Sequence, residues 1–250
     1  MDKPLLQVRG LNKRFGAVEA SRNLTLDIIE GEIHALIGPN GAGKTTAIKQ
    51  LAGEILPDSG SILFNGQEIS QLPAQRRAHL GLARSFQITS VFEQLSVEEN
   101  LALAVQAHQG HSFRFWRSAR KDTRLQTPTR AALARCGLEE RADLLAGNLS
   151  HGEKRQLDVG MALAGNPTLL LLDEPMAGMG PGGTVKLSEL ILSLKGKVSI
   201  LLVEHDMDVI FSLADRITVL VYGEPIATGT PDEIRSNPDV QQAYLGGASS

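Results

Sequence analysis

Gly38-Pro39-Asn40-Gly41-Ala42-Gly43-Lys44-Thr45-Thr46 is the stretch on which the fold turns. It keeps the spacing G-x-x-x-x-G-K-[ST] and lies between an apolar run, Glu32 to Ile37, and a helical pattern, Thr45 to Glu54. The glycines let backbone N–H groups turn inward around phosphate oxygens, and the N-terminus of the following helix adds its partial positive charge. Lys44 is placed to reach the terminal phosphates and the Thr45 hydroxyl to ligand Mg²⁺, so the expected ligand is a nucleoside triphosphate. The loop alone leaves kinases, GTPases and motor ATPases open.

Outward from the loop, short strand-like runs cover Leu5 to Leu11, Leu24 to Ile29 and Ser61 to Phe64, the last followed by an Asn65-Gly66 turn. The middle of the chain is helical in pattern: Ser96-Val97-Glu98-Glu99 is a capping box, and helices are expected over Ala131 to Cys136 and from Ser150. The α/β rhythm returns with a fully apolar strand over Leu169 to Leu172 and another apolar strand over Val198 to Val203, as in parallel sheets buried on both faces. Helices are expected over Val185 to Leu194 and Met207 to Ala214. A hairpin of Ile217 to Val221 and Pro225 to Ala227 follows, and Thr230-Pro231-Asp232-Glu233 opens a last helix.

The run Leu169-Leu170-Leu171-Leu172 ends in Asp173-Glu174. An acidic residue at the tip of a buried strand, beside a phosphate loop, holds Mg²⁺ through water, which assigns Asp173 to the metal. Glu174 is a second carboxylate on the same tip, placed to orient or deprotonate the water attacking the γ-phosphate. Hydrolysis of the bound nucleoside triphosphate, with Mg²⁺ beside it, is the expected reaction.

With 250 residues the chain is long enough to bury a substantial core, and its net charge of −3 gives no reason to expect nucleic acid as a partner. One cysteine, Cys136, excludes an internal disulfide and fits a reducing compartment. Neither a signal-peptide pattern nor an apolar run long enough to span a bilayer is present, so a membrane role is expected to be peripheral.

Leu149-Ser150-His151-Gly152-Glu153 precedes a helical run, Lys154 to Ala164. Ser150 and Glu153 form a capping box, and Gly152 in the first helical turn suggests that something approaches the backbone closely, for which an anion is suited. Here the sequence resembles the ABC transporter ATPase family, whose signature is Leu-Ser-Gly-Gly-Gln. The resemblance covers essentially the whole chain. It implies an α/β fold with a P-loop NTPase (RecA-like) core, an N-terminal antiparallel β subdomain and an inserted helical subdomain over about 88–165, all within a single nucleotide-binding domain over 1–250. It further implies that Ser150, His151, Gly152 and Glu153 contact the nucleotide held by a second ATPase subunit, identical or paralogous. Gln87 matches the family glutamine that senses Mg²⁺ and the attacking water, and His205 the histidine that contacts the γ-phosphate. Phe15 matches the aromatic that stacks on adenine, with packing in the core as the competing account. His151 and Glu153 depart from the common signature, and the loop Met176-Ala177-Gly178-Met179-Gly180 lacks the aspartate many members carry at its end.

Ala177-Gly178-Met179, the phrase Val91 to Leu101, and Ala243-Tyr244-Leu245-Gly246 look like the branched-chain (hydrophobic) amino acid importer subfamily. That resemblance implies permease partners in the membrane, an external solute-binding protein acting indirectly, and a peripheral position on the cytoplasmic face. The ATPases of lipopolysaccharide export and of iron–sulfur assembly are the competing readings. Between His108 and Arg130, Phe113, Phe115 and Trp116 stand among six basic residues, a composition suited to a permease contact or a membrane edge, with a solvated insertion as the competing account. Replacing Phe115 and Trp116 by serine is expected to weaken assembly with the permease, and an unchanged amount of permease co-purifying with the variant would refute this.

Overall fold

The structure is a computed structural model that describes residues 3–85, 91–108 and 123–245. Two sheets form its framework. The first is antiparallel, ordered β2-β1-β4-β5, from β1 (Pro4–Phe15), β2 (Val18–Ile29), β4 (Ser59–Phe64) and β5 (Gln67–Glu68). The second is ordered β10-β9-β3-β8-β7-β6 and combines β3 (Ile33–Ile37), β6 (Leu82–Arg84), β7 (Leu169–Asp173), β8 (Ser199–Val203), β9 (Arg216–Val221) and β10 (Glu224–Gly229). All its pairings are parallel except that of β9 with β10, as the hairpin pattern requires.

The central strands are mostly apolar because both of their faces are covered. On β7, Leu170 and Leu172 enter one core while Leu169 and Leu171 enter another; on β8, Ile200 and Leu202 divide in the same way from Leu201 and Val203. This is the period of two expected of a strand, with each face claimed by a different layer. One layer holds α3 (Val97–His108), α4 (Thr123–Cys136), α5 (His151–Leu163) and α6 (Pro181–Leu194). The other holds the antiparallel sheet and α1 (Lys44–Ala52). A third apolar cluster joins β3 and β9 to α7 (Met207–Leu213), α8 (Pro231–Ser236) and α9 (Pro238–Leu245) through Ile37, Ile210, Ile217, Ile234 and Val240.

Most boundaries expected from sequence fall within a few residues of those observed, and the departures have physical causes. β1 and β2 run well beyond their apolar cores, through bulged pairing that carries polar residues. α4 starts eight residues before Ala131 and keeps Pro128 inside it. α6 begins at Pro181, where the ring occupies the first helical turn and has no hydrogen bond to lose. α2 (Ala74–His79) has no apolar periodicity to announce it; it is fastened by Arg77, whose fully buried guanidinium donates to the carbonyls of Gln50 and Leu51 at 2.8 Å and of Ser70 at 2.9 Å. Burial pulls the Arg77 pKa down to about 10. The single helix expected after Thr230 is two, divided at Asn237 ahead of Pro238.

The phosphate loop is clamped between the sheets by close backbone approaches. A Cβ on Gly43 would lie 2.2 Å from the carbonyl oxygen of Ala20 in β2, and one on Gly38 would lie 2.1 Å from that of Leu220 in β9. The tip of the β9–β10 hairpin completes the clamp, because Gly223 donates to the Ala42 carbonyl and accepts from the Arg22 N–H, each at 2.9 Å. Gly43→Ala is therefore expected to cost about 3 kcal/mol or more in urea unfolding. Gly41→Ala, with a positive φ but nothing within 4 Å, should cost only about 1 kcal/mol. Equal losses for the two variants would contradict the clamp.

Candidate functional site

Three neighbouring strands, β3, β8 and β7, deliver their C-terminal ends to one edge of the parallel sheet, the edge at which open α/β sheets bind ligands. β3 ends in the loop from Gly38, β7 in Asp173-Glu174, and β8 in the pair Glu204-His205. Lys44 opens α1 and folds back across the loop, its Nζ donating to the carbonyls of Gly38 at 2.7 Å and Pro39 at 3.0 Å. Burial lowers its pKa, against the opposing pull of the Glu174 and Asp173 charges. Thr45 and Thr46 are half-buried in the first turn of α1, and Gly41 is exposed.

Asp173 is buried at the strand tip, and one of its oxygens, Oδ2, accepts from Arg84 Nη2 at 3.0 Å. Burial lifts its carboxyl above the ordinary aspartate range, while Arg84 pulls the other way. The second oxygen, Oδ1, is buried without a hydrogen-bond partner. A buried carboxylate oxygen of this kind needs a cation or an ordered water to offset its desolvation, and that need suits a magnesium ion and its waters. Arg84 itself is shared, since its Nη1 donates to Glu54 at 2.5 Å.

Glu174 extends the β7–β8 pairing by one step, its N–H donating to the Val203 carbonyl at 2.9 Å. It then turns sharply with φ of 49°, in the left-handed region that costs a residue other than glycine about 1–2 kcal/mol. This turn brings Glu174 Oε1 to 2.6 Å from Nε2 of His205. Strain held at such a position is repaid elsewhere, here by the two strand tips that hold it.

The signature segment lies apart from this cluster. Ser150 caps α5 through a complete capping box: Glu153 N–H donates to Ser150 Oγ at 3.3 Å, while Glu153 Oε2 accepts from the Ser150 N–H at 2.9 Å and its hydroxyl at 2.8 Å. Among the described residues, no hydrogen bond joins Ser150, His151, Gly152 or Glu153 to the 38–46 loop. Their link runs instead to the loop after Glu174, where His151 Nε2 lies 3.3 Å from the Ala177 carbonyl oxygen. The close approach expected at Gly152 is made within the chain: a Cβ there would lie 3.2 Å from Met179 Cε and 3.4 Å from Gly183 Cα. The glycine thus has a packing reason that needs no anion.

Phe15 ends β1 with 47% of its surface exposed, which removes core packing as its role, and the Lys13 ammonium lies 5.5 Å from its ring centroid. Gln87 falls outside the described residues, as do Phe113, Phe115 and Trp116. Two residues at the site were not anticipated from sequence. Arg84 is visible only once β6 is paired beside β7. Glu204 is buried, with Oε1 accepting from the Met176 N–H at 2.7 Å and Oε2 from the His205 N–H at 3.1 Å. Its sole sequence signal is a charge closing an otherwise apolar strand.

Comparison with known proteins agrees with this geometry. The family profile described as ABC transporter matches residues 21–177, and that described as branched-chain amino acid ATP-binding cassette transporter matches residues 224–249. The high-affinity branched-chain amino acid transport ATP-binding protein LivG of Escherichia coli strain K12 is 43% identical over 99% of this chain and 100% of its own length. The corresponding protein BraF of Pseudomonas aeruginosa is 39% identical over 99% of this chain and 100% of its own. Among solved structures, a nucleotide-free ATP-binding cassette from an ABC transporter superposes with a TM-score of 0.85 at 26% identity, covering 97% of this chain and 99% of that one. The ADP conformation of the cassette MJ1267 gives 0.86 at 26% identity, covering 98% and 99%.

Arg84→Ala would leave the Asp173 carboxylate buried without its cation, and is expected to cost about 3 kcal/mol in urea unfolding at neutral pH without nucleotide. Because the folded pKa of Asp173 is raised, the native state binds this proton more tightly than the unfolded chain. Losing Arg84, which opposes that rise, lifts the variant's folded value further, so the deficit relative to the parent should shrink as pH falls from the variant's folded value to the parent's. A deficit independent of pH across that window would contradict the account.

Proposed function

Since this chain belongs to the ABC transporter family and is an ATP hydrolase, we propose that it energises an importer of branched-chain or related hydrophobic amino acids through partner permeases in the membrane. The observation that carries the hydrolytic site is the meeting of Glu174 and His205 at 2.6 Å on adjacent strand tips, beside a loop in which Lys44 is buried. The match of residues 224–249 to the branched-chain profile, and the LivG and BraF likeness over the whole chain, favour amino acid import over lipopolysaccharide export or iron–sulfur assembly.

In this reading the N–H groups of 38–46 and the start of α1 receive the phosphates, and Lys44 exchanges its loop carbonyls for phosphate oxygens. Phe15 offers an exposed ring face to adenine. Thr45, Asp173 and Gln87 are the residues that would hold magnesium, and the orphaned Asp173 Oδ1 fits that role. Magnesium, when bound, neutralises charge building on the β- and γ-phosphate oxygens. Glu174 orients the attacking water and takes its proton, and His205 holds Glu174 in place while facing the γ-phosphate. Ser150 to Glu153 serve the nucleotide of a second ATPase subunit, identical or paralogous, with the two chains closing head to tail around two nucleotides. Closure and reopening then drive the permeases, and an external binding protein presents the solute.

Among the described residues no helix is long and apolar enough to cross a membrane. A peripheral position on the cytoplasmic face, held by the permeases, completes the proposal.

Glu174→Gln keeps the size of the side chain and removes its basicity. It is expected to bind ATP with parent-like affinity, to lose at least about hundredfold in kcat, and to dimerise on addition of ATP. Steady-state hydrolysis and light scattering measure these outcomes; undiminished turnover would remove Glu174 from its role, and failure to dimerise would remove the head-to-tail arrangement.

A further inference from the structure

Glu204 is a buried carboxylate to which the proposed chemistry assigns no task. Removing a carboxylate from water is costly, and burial raises its pKa accordingly. A position that needed only to fill space beside β8 would be served better by an apolar residue, as Ile200 to Val203 are.

Its hydrogen bonds form a closed circuit. One oxygen takes the N–H of Met176, two residues beyond Glu174, and the other takes the N–H of His205. His205 in turn meets the Glu174 carboxylate through its ring. The circuit therefore runs from Glu174 along the chain to Met176, across to Glu204, on to His205 and back to Glu174. A branch leaves it at Ala177, the neighbour of Met176, whose carbonyl faces His151 of the signature segment. A second branch leaves at Met179, whose methyl packs on Gly152 and Gly183.

We propose that Glu204 is a positioning residue for hydrolysis: its two oxygens hold the loop from Met176 to Met179 and the His205 backbone as one body, so that the signature end of α5 and the His205 ring move together. The inference rests on the roles proposed above for Glu174 and His205. Neither Gln nor Asp reproduces the carboxylate. Glutamine replaces one acceptor by an NH₂ group that opposes an N–H, and aspartate is one methylene too short to span both donors.

The test measures steady-state ATP hydrolysis by the full chain for the parent, Glu204→Gln, Glu204→Asp, His205→Ala and the double variant Glu204→Gln/His205→Ala, with urea unfolding run in parallel. Both Glu204 variants are expected to lose about tenfold in kcat with KM for ATP close to the parent, and, although the urea midpoint falls, to remain folded under assay conditions. On the His205→Ala background the added loss should fall below about twofold, because the histidine through which Glu204 acts is gone. Parent-like kcat in either Glu204 variant overturns the inference. So does a loss of equal size on both backgrounds, or one that the unfolded fraction under assay conditions accounts for. If His205→Ala and Glu174→Gln keep full turnover, the hydrolytic reading falls and this inference falls with it; if those two are impaired and Glu204→Gln is not, this inference alone falls.

Discussion

The contact on which the rest of the structure depends is that between backbone and backbone at the two ends of the phosphate loop. At Gly38 the loop touches the Leu220 carbonyl of β9, and at Gly43 it touches the Ala20 carbonyl of β2. Neither approach tolerates a side chain, so the loop's place is set by main-chain atoms of two different sheets. Those sheets are in turn held together at the same place, through Gly223 with Ala42 and Arg22 and through the ion pair of Arg22 with Glu224. A loop anchored by backbone contacts presents its N–H groups in a fixed array, and preorganised dipoles are what a cluster of phosphate charges requires. The far end of α1 is secured as well, where Arg77 caps its last carbonyls with a buried positive charge.

From this anchor, the other chemical groups follow by strand order. β8 lies between β3 and β7, so residues just past its end stand between the phosphate loop and the Asp173-Glu174 pair. His205 occupies that place, and the left-handed turn at Glu174 aims the carboxylate across at it. The two-sided burial of β7 and β8 makes this arrangement stiff. Every residue of both strands is buried, and alternate residues are gripped by different layers, so neither tip can shift without disturbing two cores.

Much of this was legible in the sequence because the relevant signals are local. The glycine spacing, the apolar runs of β7 and β8, and the capping boxes at Ser96, Ser150 and Thr230 each lie within a few residues, and the structure has all three boxes. What stayed hidden depends on neighbours far along the chain. Arg84 meets an aspartate 89 residues away, and Glu204 meets Met176 from 28 residues away. Gly152 shows how a local inference can leave a partner within the chain unnamed. A glycine in a first helical turn does signal a close approach, but Met179 and Gly183 make it, and no rule of spacing names them. α2 escaped for a related reason, since its anchor is a single buried arginine rather than an apolar face.

The signature segment and the phosphate loop share no hydrogen bond among the described residues. Ser150, capping α5, is satisfied by Glu153 alone, so the cap persists whether or not a nucleotide reaches it. In the proposed dimer, a phosphate from the second chain would meet a preformed helix end rather than one it must order, which lowers the cost of association. Yet the same segment is tied to the loop following Glu174, through His151 on Ala177 and Gly152 against Met179. The signature face therefore stands only a few covalent bonds and packed contacts from Glu174. The contacts that make this link, an imidazole against a carbonyl and a methionine methyl against two glycines, act at short range and depend on packing rather than on charge.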